Sequence, residues 1–396
     1  MKILHTSDWH LGNQLYGYDR FEEQSVMLDT MVEIVREERP DVFLLCGDVF
    51  DVPQPSATVN RLFVEAITKI HDAHPEIVVV ITAGNHDSAS RHEVFRKPWL
   101  NLGVYSVGTV NIDSPENHIV EIPGKGWVIA VPYVNERNLP DGFIQNLINI
   151  VSEKNTTALP VVMTGHTTVR GCDFSGHTDI YDRRNDGETY TVGGIEGVKV
   201  EDMGNGYDYL ALGHIHRKQY IHTGRHNVRY SGSPLPVSFD ENFEHTVTIL
   251  EIDRKYGPEE RLPDIREIPI INTRPLITLP ADGFTDWKTA RTLLENLDDG
   301  VKNAYIRLNV EVEDFLPHGA NEDANAIAAS KGCRFCLINT RRKNAVFHEE
   351  KSLTVNEFRR EDPLDIAIKY AKEIGEVFNE DMRKMFEEAL RSIENE

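Results

Sequence analysis

The chain has 396 residues, enough for two or three domains with a large core. Its composition, 40% hydrophobic and 27% charged, is that of an ordinary globular protein, and no run approaches the ~18 apolar residues of a membrane span. The net charge of −22 repels phosphate backbones and argues against a protein that simply coats DNA, though not against an enzyme that reaches nucleic acid through cations or a partner.

The N-terminus, MKILHTSDWHLG, is too short in apolar residues for a signal peptide, and Asp8 interrupts it. Residues 2–7 (KILHTS), 42–46 (VFLLC), 77–83 (IVVVITA), 127–131 (WVIAV), 160–164 (PVVMT) and 207–212 (YDYLAL) are short apolar runs, as expected of strands buried on both faces. Helical patterns over 20–38 and 56–72 separate the first three, so the core is α/β. His5, inside the first strand, reads as a core residue or a support for a site. Segments 227–233 and 245–252 look like strands without intervening helices, which predicts a mixed sheet. Residues 167–206 are rich in Gly, Asp and Thr and read as a long loop that orders on binding.

Recurrent prolines between 255 and 282 mark a domain boundary. Beyond it the pattern predicts a helix over 286–297 and a strand alternating through Ile306, Leu308, Val310 and Val312. A helix near 322–331 and a strand over 333–339 follow. Cys333 and Cys336 form a lone C-x-x-C with no second ligand pair, so they read as reduced thiols rather than zinc ligands. Together with Cys46 and Cys172 they are too few for a disulfide framework and point to a reducing cytoplasm. Arg341-Arg342-Lys343 is a dense basic triplet, either a solvated strand end or a phosphate contact. Residues 362–394 read as a helical hairpin whose apolar stripe (Met382, Met385, Phe386, Ala389, Leu390, Ile393) needs a surface to cover it. The resulting division is 1–269, 270–345 and 346–396.

The chemistry sits where the strands end. The first ends in Asp8-Trp9-His10 and the second in Gly47-Asp48-Val49-Phe50-Asp51. The third ends in Gly84-Asn85-His86-Asp87, and two later ones in Gly165-His166 and Gly213-His214-Ile215-His216. Any one of these is weak, because a histidine at a strand end is more often a satisfied polar group than a ligand. Five together are hard to attribute to chance, and α/β sheets bind ligands at the carboxyl ends of their strands. The donors are oxygens and imidazole nitrogens with no thiolate, a set suited to Mn, Fe or Zn. In extended backbone, residues i and i+2 share a side, so Asp8/His10 and His214/His216 can each present two ligands. About eight ligands fit two ions rather than one.

The ordered set D-x-H, G-D-x-x-D, G-N-H-D, G-H and G-H-x-H resembles the calcineurin-like metallophosphoesterase superfamily over residues 1 to about 235. The resemblance implies a β-sandwich flanked by helices with a dinuclear centre at the strand ends. It implies one metal on Asp8, His10 and His216, another on Asn85, His166 and His214, and Asp48 bridging them. His86 would act on the substrate phosphate, Asp87 would hold His86, and Asp51 would lie just behind the ligands. HTSDWHLG, GDVFD, GNHDS and YSGSPLPVSFDE (230–241) further resemble the SbcD-type nuclease family. That likeness implies a Mn2+-dependent (or Mg2+-, Fe2+- or Zn2+-dependent) 3'-5' exonuclease and endonuclease. It also implies a small α/β cap that contacts DNA and a C-terminal hairpin that docks on an SbcC-type ABC ATPase. Relatives pair through core helices, which makes helix 56–72 (Val59, Leu62, Phe63, Ala66) a homodimer candidate, burial in its own core being the alternative. Arg91, Tyr133 and Ser233 lie near the motifs and are candidate substrate contacts. The rival readings are a stand-alone small-molecule or cyclic-nucleotide phosphodiesterase, which needs neither cap nor hairpin, and a scaffold with structural metals, against which His86 speaks.

Overall fold

A computed structural model describes residues 1–134, 139–173, 198–221, 225–253, 255, 265–298, 300–343, 382, 383 and 386. In chain order the principal elements begin with β1 (Lys2–Thr6), α1 (Phe21–Glu38), β2 (Val42–Cys46), α2 (Ala57–Ala73), β3 (Val78–Thr82), α3 (Ala89–Trp99) and β4 (Val104–Val107), with a short strand pair (Gln14–Leu15 and Tyr18–Asp19) before α1. Then come β5 (Ile119–Ile122), β6 (Gly126–Ile129), α4 (Phe143–Lys154), β7 (Val161–His166), β8 (Tyr209–Gly213), β9 (Gln219–Tyr220) and β10 (Val228–Tyr230). Last are β11 (Thr246–Glu251), β12 (Arg266–Pro269), β13 (Leu276–Leu279), α5 (Trp287–Glu295), β14 (Tyr305–Val312), α6 (Ala320–Ser330) and β15 (Arg334–Arg342).

The apolar runs are continuous because each strand serves two buried surfaces. In β2, Val42, Leu44 and Cys46 face the interior of a sandwich and meet Val162, Tyr209 and Ala211 of the opposite sheet. Phe43 and Leu45 face the other way, onto Met27 and Met31 of α1 and Phe63 and Ile67 of α2. Burying a side chain of this size stabilises by about 1.5–3 kcal/mol. The first sheet runs β12-β11-β1-β2-β3-β4, the second β9-β10-β8-β7-β6-β5. Both are mixed: β1 to β4 are parallel while β11 is antiparallel to β1, and β6, β7, β8 and β10 are parallel while β5 and β9 are antiparallel to their neighbours. The second sheet's outer face (Met163, Leu210, Leu212) is covered by Phe143, Leu147, Ile148 and Val151 of α4. This is the expected α/β metallophosphoesterase sandwich flanked by helices. The carboxyl ends of β1, β2, β3, β7 and β8 meet at one rim.

Residues 1–343 form one compact unit. Within it β13, β14 and β15 make a parallel three-stranded sheet with α5 and α6 on one side, around a cluster of its own that includes Leu294, Ile306, Leu308, Val310, Ala324 and Ala328. Asp286 caps α5 by accepting from the Thr289 amide at 3.1 Å. The alternation of β14 points as expected, and its opposite face is buried too. There Tyr305 packs with Leu15 and Phe239, and Arg307 pairs with Asp240. Arg341 and Lys343 pair with Glu311 and Glu313. All four cysteines are free thiols.

Some expectations need correction. Helices α3 and α4 were not anticipated, although FIQNLINIVSEK carries a clear i, i+3, i+4 stripe. The apolar face of α2 is not available as a docking surface, because Leu62, Phe63 and Ala66 are buried against β2 and β3. Apart from residues 382, 383 and 386, the hairpin expected over 362–394 lies outside the described residues, as do residues 174–197 of the long loop. No described helix is long and apolar enough to cross a membrane.

His5 ties the two sheets together. Its Nε2 donates to the Leu212 carbonyl at 3.2 Å, and its Nδ1 lies 2.9 Å from the Tyr209 hydroxyl, which donates to it. Both nitrogens are used by the neutral ring. Burial, with the nearby Arg229 charge, lowers its pKa from 6.5 to about 3 despite the Leu212 carbonyl. The unfolded chain therefore binds more protons below pH 6.5, so stability is complete above that value and is lost as pH falls toward the folded pKa. Between about pH 7.5 and 5.5 the metal-free protein should lose on the order of 1 kcal/mol through this residue. Urea titrations should show that loss, and it should shrink by that amount in His5→Asn. An equal loss in the variant would place the pH sensitivity elsewhere.

Candidate metal centre

The loops after β1 and β2 are laced together by their backbones: Asp8 N–H donates to the Gly47 carbonyl and His10 N–H to the Asp48 carbonyl, each at 3.0 Å. This pairing forces unusual dihedrals. Of the eight described non-glycine residues with positive φ, four are Asp8 (54°), His10 (44°), Asp48 (48°) and His214 (94°). Such positions cost roughly 1–3 kcal/mol each and persist only where the surroundings over-determine them. Two glycines make room. A Cβ on Gly84 would lie 2.2 Å from the Asp48 amide nitrogen, and one on Gly213 would lie 1.9 Å from the Cys46 carbonyl oxygen. Both neighbours are backbone atoms that cannot step aside. Gly213→Ala should therefore cost about 3 kcal/mol or more, seen as a lower urea midpoint; a wild-type midpoint would mean that β2 and β8 separate easily.

The proposed ligands converge in two groups, and His10 is also shared with Asp51 and His86 in a third cluster. In the first, His10 Nε2 stands 3.1 Å from His216 Nε2, and Asp8 lies within ligand distance of both. In the second, the Asn85 side-chain oxygen is 3.1 Å from His166 Nε2 and 3.1 Å from His214 Nδ1. Asp48 lies between them, with Oδ2 3.7 Å from His10 Nε2 and 3.3 Å from His166 Nε2. Asp8, His10, Asp48, His166 and His216 are buried, while Asn85, His86 and His214 are half-buried and open the site to solvent.

The donors fit divalent cations. Two imidazoles have an oxygen hydrogen-bonded to their outer nitrogen, Cys46 O at 2.8 Å from His166 Nδ1 and Glu241 Oε1 at 2.9 Å from His216 Nδ1, while Asp51 Oδ1 lies 3.3 Å from His10 Nδ1 as an ion-pair contact. An oxygen acceptor there keeps the proton on the outer nitrogen and turns the inner lone pair toward the centre, the arrangement of metal-bound histidines. His10 Nε2 and His216 Nε2, 3.1 Å apart, are spaced as two nitrogen donors to one cation would be.

The electrostatics agree. Burial, together with the Asp48 charge, pushes Asp8 up to about 6 although His166, His10 and Ser7 oppose it. Burial works against the Asp48 carboxylate too, but His166, His86 and His10 hold it well below the usual carboxylate range. Burial also disfavours charge on His166, yet Asp48 and Asp8 raise it to about 9. Protons here do what bound cations would do better, and cations would displace them.

The remaining candidates fall differently. The His86 amide donates to Asp48 Oδ1 at 2.8 Å, and His86 Nδ1 donates to the Asp51 carbonyl at 2.9 Å. Asp87 does not hold His86: its carboxylate accepts the amides of Gly84, Val49 and Phe50 at 2.8–3.1 Å, tying the loops after β2 and β3 together. Chain adjacency suggested the Asp87–His86 pair, but consecutive side chains here point apart. Ser233 is buried, with its hydroxyl toward Glu241 (3.4 Å) and His245 (3.3 Å), which takes it away from any surface ligand. Arg91 donates to Asn60 at 3.0 Å, and the Tyr133 ring meets His166 edge-on at 6.3 Å. Glu241 was missed: it ends the stretch YSGSPLPVSFDE, and an acidic residue there was the available signal.

A family model for calcineurin-like phosphoesterases matches residues 1–218. The chain is 33% identical over 341 residues to SbcD of the SbcCD nuclease from Bacillus subtilis, covering 80% of each chain. It is 30% identical over 310 residues to its counterpart in Rhodobacter capsulatus, covering 72% of each. Against the counterpart in Escherichia coli K12 it is 25% identical over 426 aligned positions, spanning 100% of this chain and 99% of the other. The chain thus belongs to the calcineurin-like phosphoesterases and, within them, to the SbcD family of the SbcCD nucleases.

Proposed function

We propose that the chain is a Mn2+-dependent deoxyribonuclease, with 3'-5' exonuclease and endonuclease activity, working in the cytoplasm with an SbcC-type ATPase on double-strand breaks and hairpins. The observation that carries this reading is Asp48 Oδ2 between two histidine groups, within 3.7 Å of a nitrogen in each. Asp8, His10 and His216 would hold one ion, Asn85, His166 and His214 the other, and Asp48 would serve both. When bound, two such ions supply Lewis-acid charge to a phosphoryl oxygen and make water a stronger nucleophile. The chain's own residues do the rest. His86 Nδ1–H donates to the Asp51 carbonyl, which fixes the ring, and the imidazolium form gives its Nε2 proton to the departing sugar oxygen, leaving a neutral ring with the proton on Nδ1. Asp87 stiffens the turn that carries His86. Arg91 and Tyr133 contact the strand, the cap sheet (β13–β15) contributes DNA contacts, residues 346–396 dock on the ATPase, and two copies pair in the working complex.

The test is cleavage of linear duplex and single-stranded DNA by purified protein in Mn2+, with EDTA and Asp48→Asn controls. Metal-dependent cutting that vanishes in the variant supports the reading. Hydrolysis of a small phosphodiester without cutting of either DNA, even after the ATPase is added, would favour a small-molecule phosphodiesterase instead.

A further inference from the structure

Three consecutive residues, Phe239, Asp240 and Glu241, link the ligand His216 to the three-stranded sheet. Glu241 is buried, and its Oε1 accepts the His216 Nδ1 proton at 2.9 Å. Its Oε2 accepts the Val237 amide at 3.1 Å, which anchors the other end of the carboxylate. One residue earlier, Asp240 Oδ1 accepts from Arg307 Nη1 of β14 at 2.7 Å. One earlier again, the Phe239 carbonyl accepts from Arg307 Nη2 at 3.4 Å, and the guanidinium lies over the Phe239 ring, 5.1 Å from its centroid. Arg307 is itself braced within its sheet by Thr278 of β13, whose hydroxyl accepts from Nε at 3.1 Å. Charge-assisted bonds of this kind, shielded from water, hold geometry tightly.

Resting on the dinuclear reading above, we propose that Glu241 is a positioning residue that keeps His216 ready to bind a cation, and that Arg307 places this control under the cap sheet. A proton held on Nδ1 leaves the Nε2 lone pair turned toward His10 and Asp8. Without Glu241 the ring can flip or change tautomer and present an N–H to the cation instead. Arg307 acts one step further out, by fixing the backbone from which Glu241 reaches. A shift of the β13–β15 sheet, such as bound DNA could impose, would then be felt at one cation position and not at the other. The opposite shoulder of the loop has its own anchor, the Pro236 carbonyl accepting from Arg20 at 2.7 Å, so loss of Arg307 leaves the loop attached.

Calorimetric titration of EDTA-stripped full chain with Mn2+ tests this. Wild type should take two ions per chain. Glu241→Ala should weaken one of them by about 10- to 100-fold and leave the other unchanged. Glu241→Gln, which keeps an acceptor oxygen, should recover part of that loss. Arg307→Met should weaken the same ion by a smaller factor, and Arg341→Met, at the exposed rim of the same sheet, should change neither. Thermal unfolding of the metal-free variants separates this from loss of fold; if the alanine variant does not fold, the glutamine variant decides. Two ions bound with wild-type affinity in the Glu241 variants would overturn the positioning role, and an unchanged Arg307→Met would overturn the link to the cap. A wild type that binds no ion would overturn the dinuclear reading and this inference with it.

Discussion

Asp48→Asn is expected to lower kcat/KM for phosphodiester hydrolysis by about 10^3-fold or more. In the proposed dinuclear centre the Asp48 carboxylate would support both cation positions, whose combined effect on such reactions is several kcal/mol, and each ~1.4 kcal/mol is a factor of ten. Asparagine keeps the shape and one oxygen but removes the charge that draws His10 and His166 together across Oδ2. Metal analysis should show fewer than two ions per chain in the variant, with near-wild-type melting in EDTA. Full activity with two ions bound would mean that the two ligand groups work independently and that Asp48 is only a support for His86.

His86→Gln is the second large effect, and it separates proton transfer from metal binding. The residue is half-buried at the mouth of the site, with Nδ1 bound to the Asp51 carbonyl and its ring edge-on to that of His10 at 5.0 Å. Its removal should leave two ions bound and reduce kcat by about 10^2- to 10^4-fold, the usual contribution of a positioned general acid. Substrates with a good leaving group, which need little protonation, should lose much less. A uniform loss across leaving groups would assign His86 to binding the phosphate.

The residues of the centre were readable because the chemistry of each strand end is local. An apolar run followed by glycine and then Asp, Asn or His marks both the end of a buried strand and a donor at its mouth. The alternation in β14 and the cap of α5 were readable for similar local reasons. What misled was adjacency in the chain. Asp87 follows His86 yet serves the amides of Val49 and Phe50, while the carbonyl that holds His86 belongs to Asp51, 35 residues earlier. Ser233 lies in a conspicuous motif but is turned inward to Glu241.

By itself, then, the sequence determined the α/β class, the strand ends that carry the donors, and the donor chemistry, since these depend on residue type and short-range period. Only the tertiary structure decided which donor faces which, and which second groups hold them. His10 meets His216 across 206 positions of chain, and Glu241 reaches His216 from a loop whose neighbouring residue is held by Arg307 of another sheet. Such contacts follow from sheet order and from the packing of two sheets and a cap. They arise from burial summed over the whole core, which no short stretch of residues encodes.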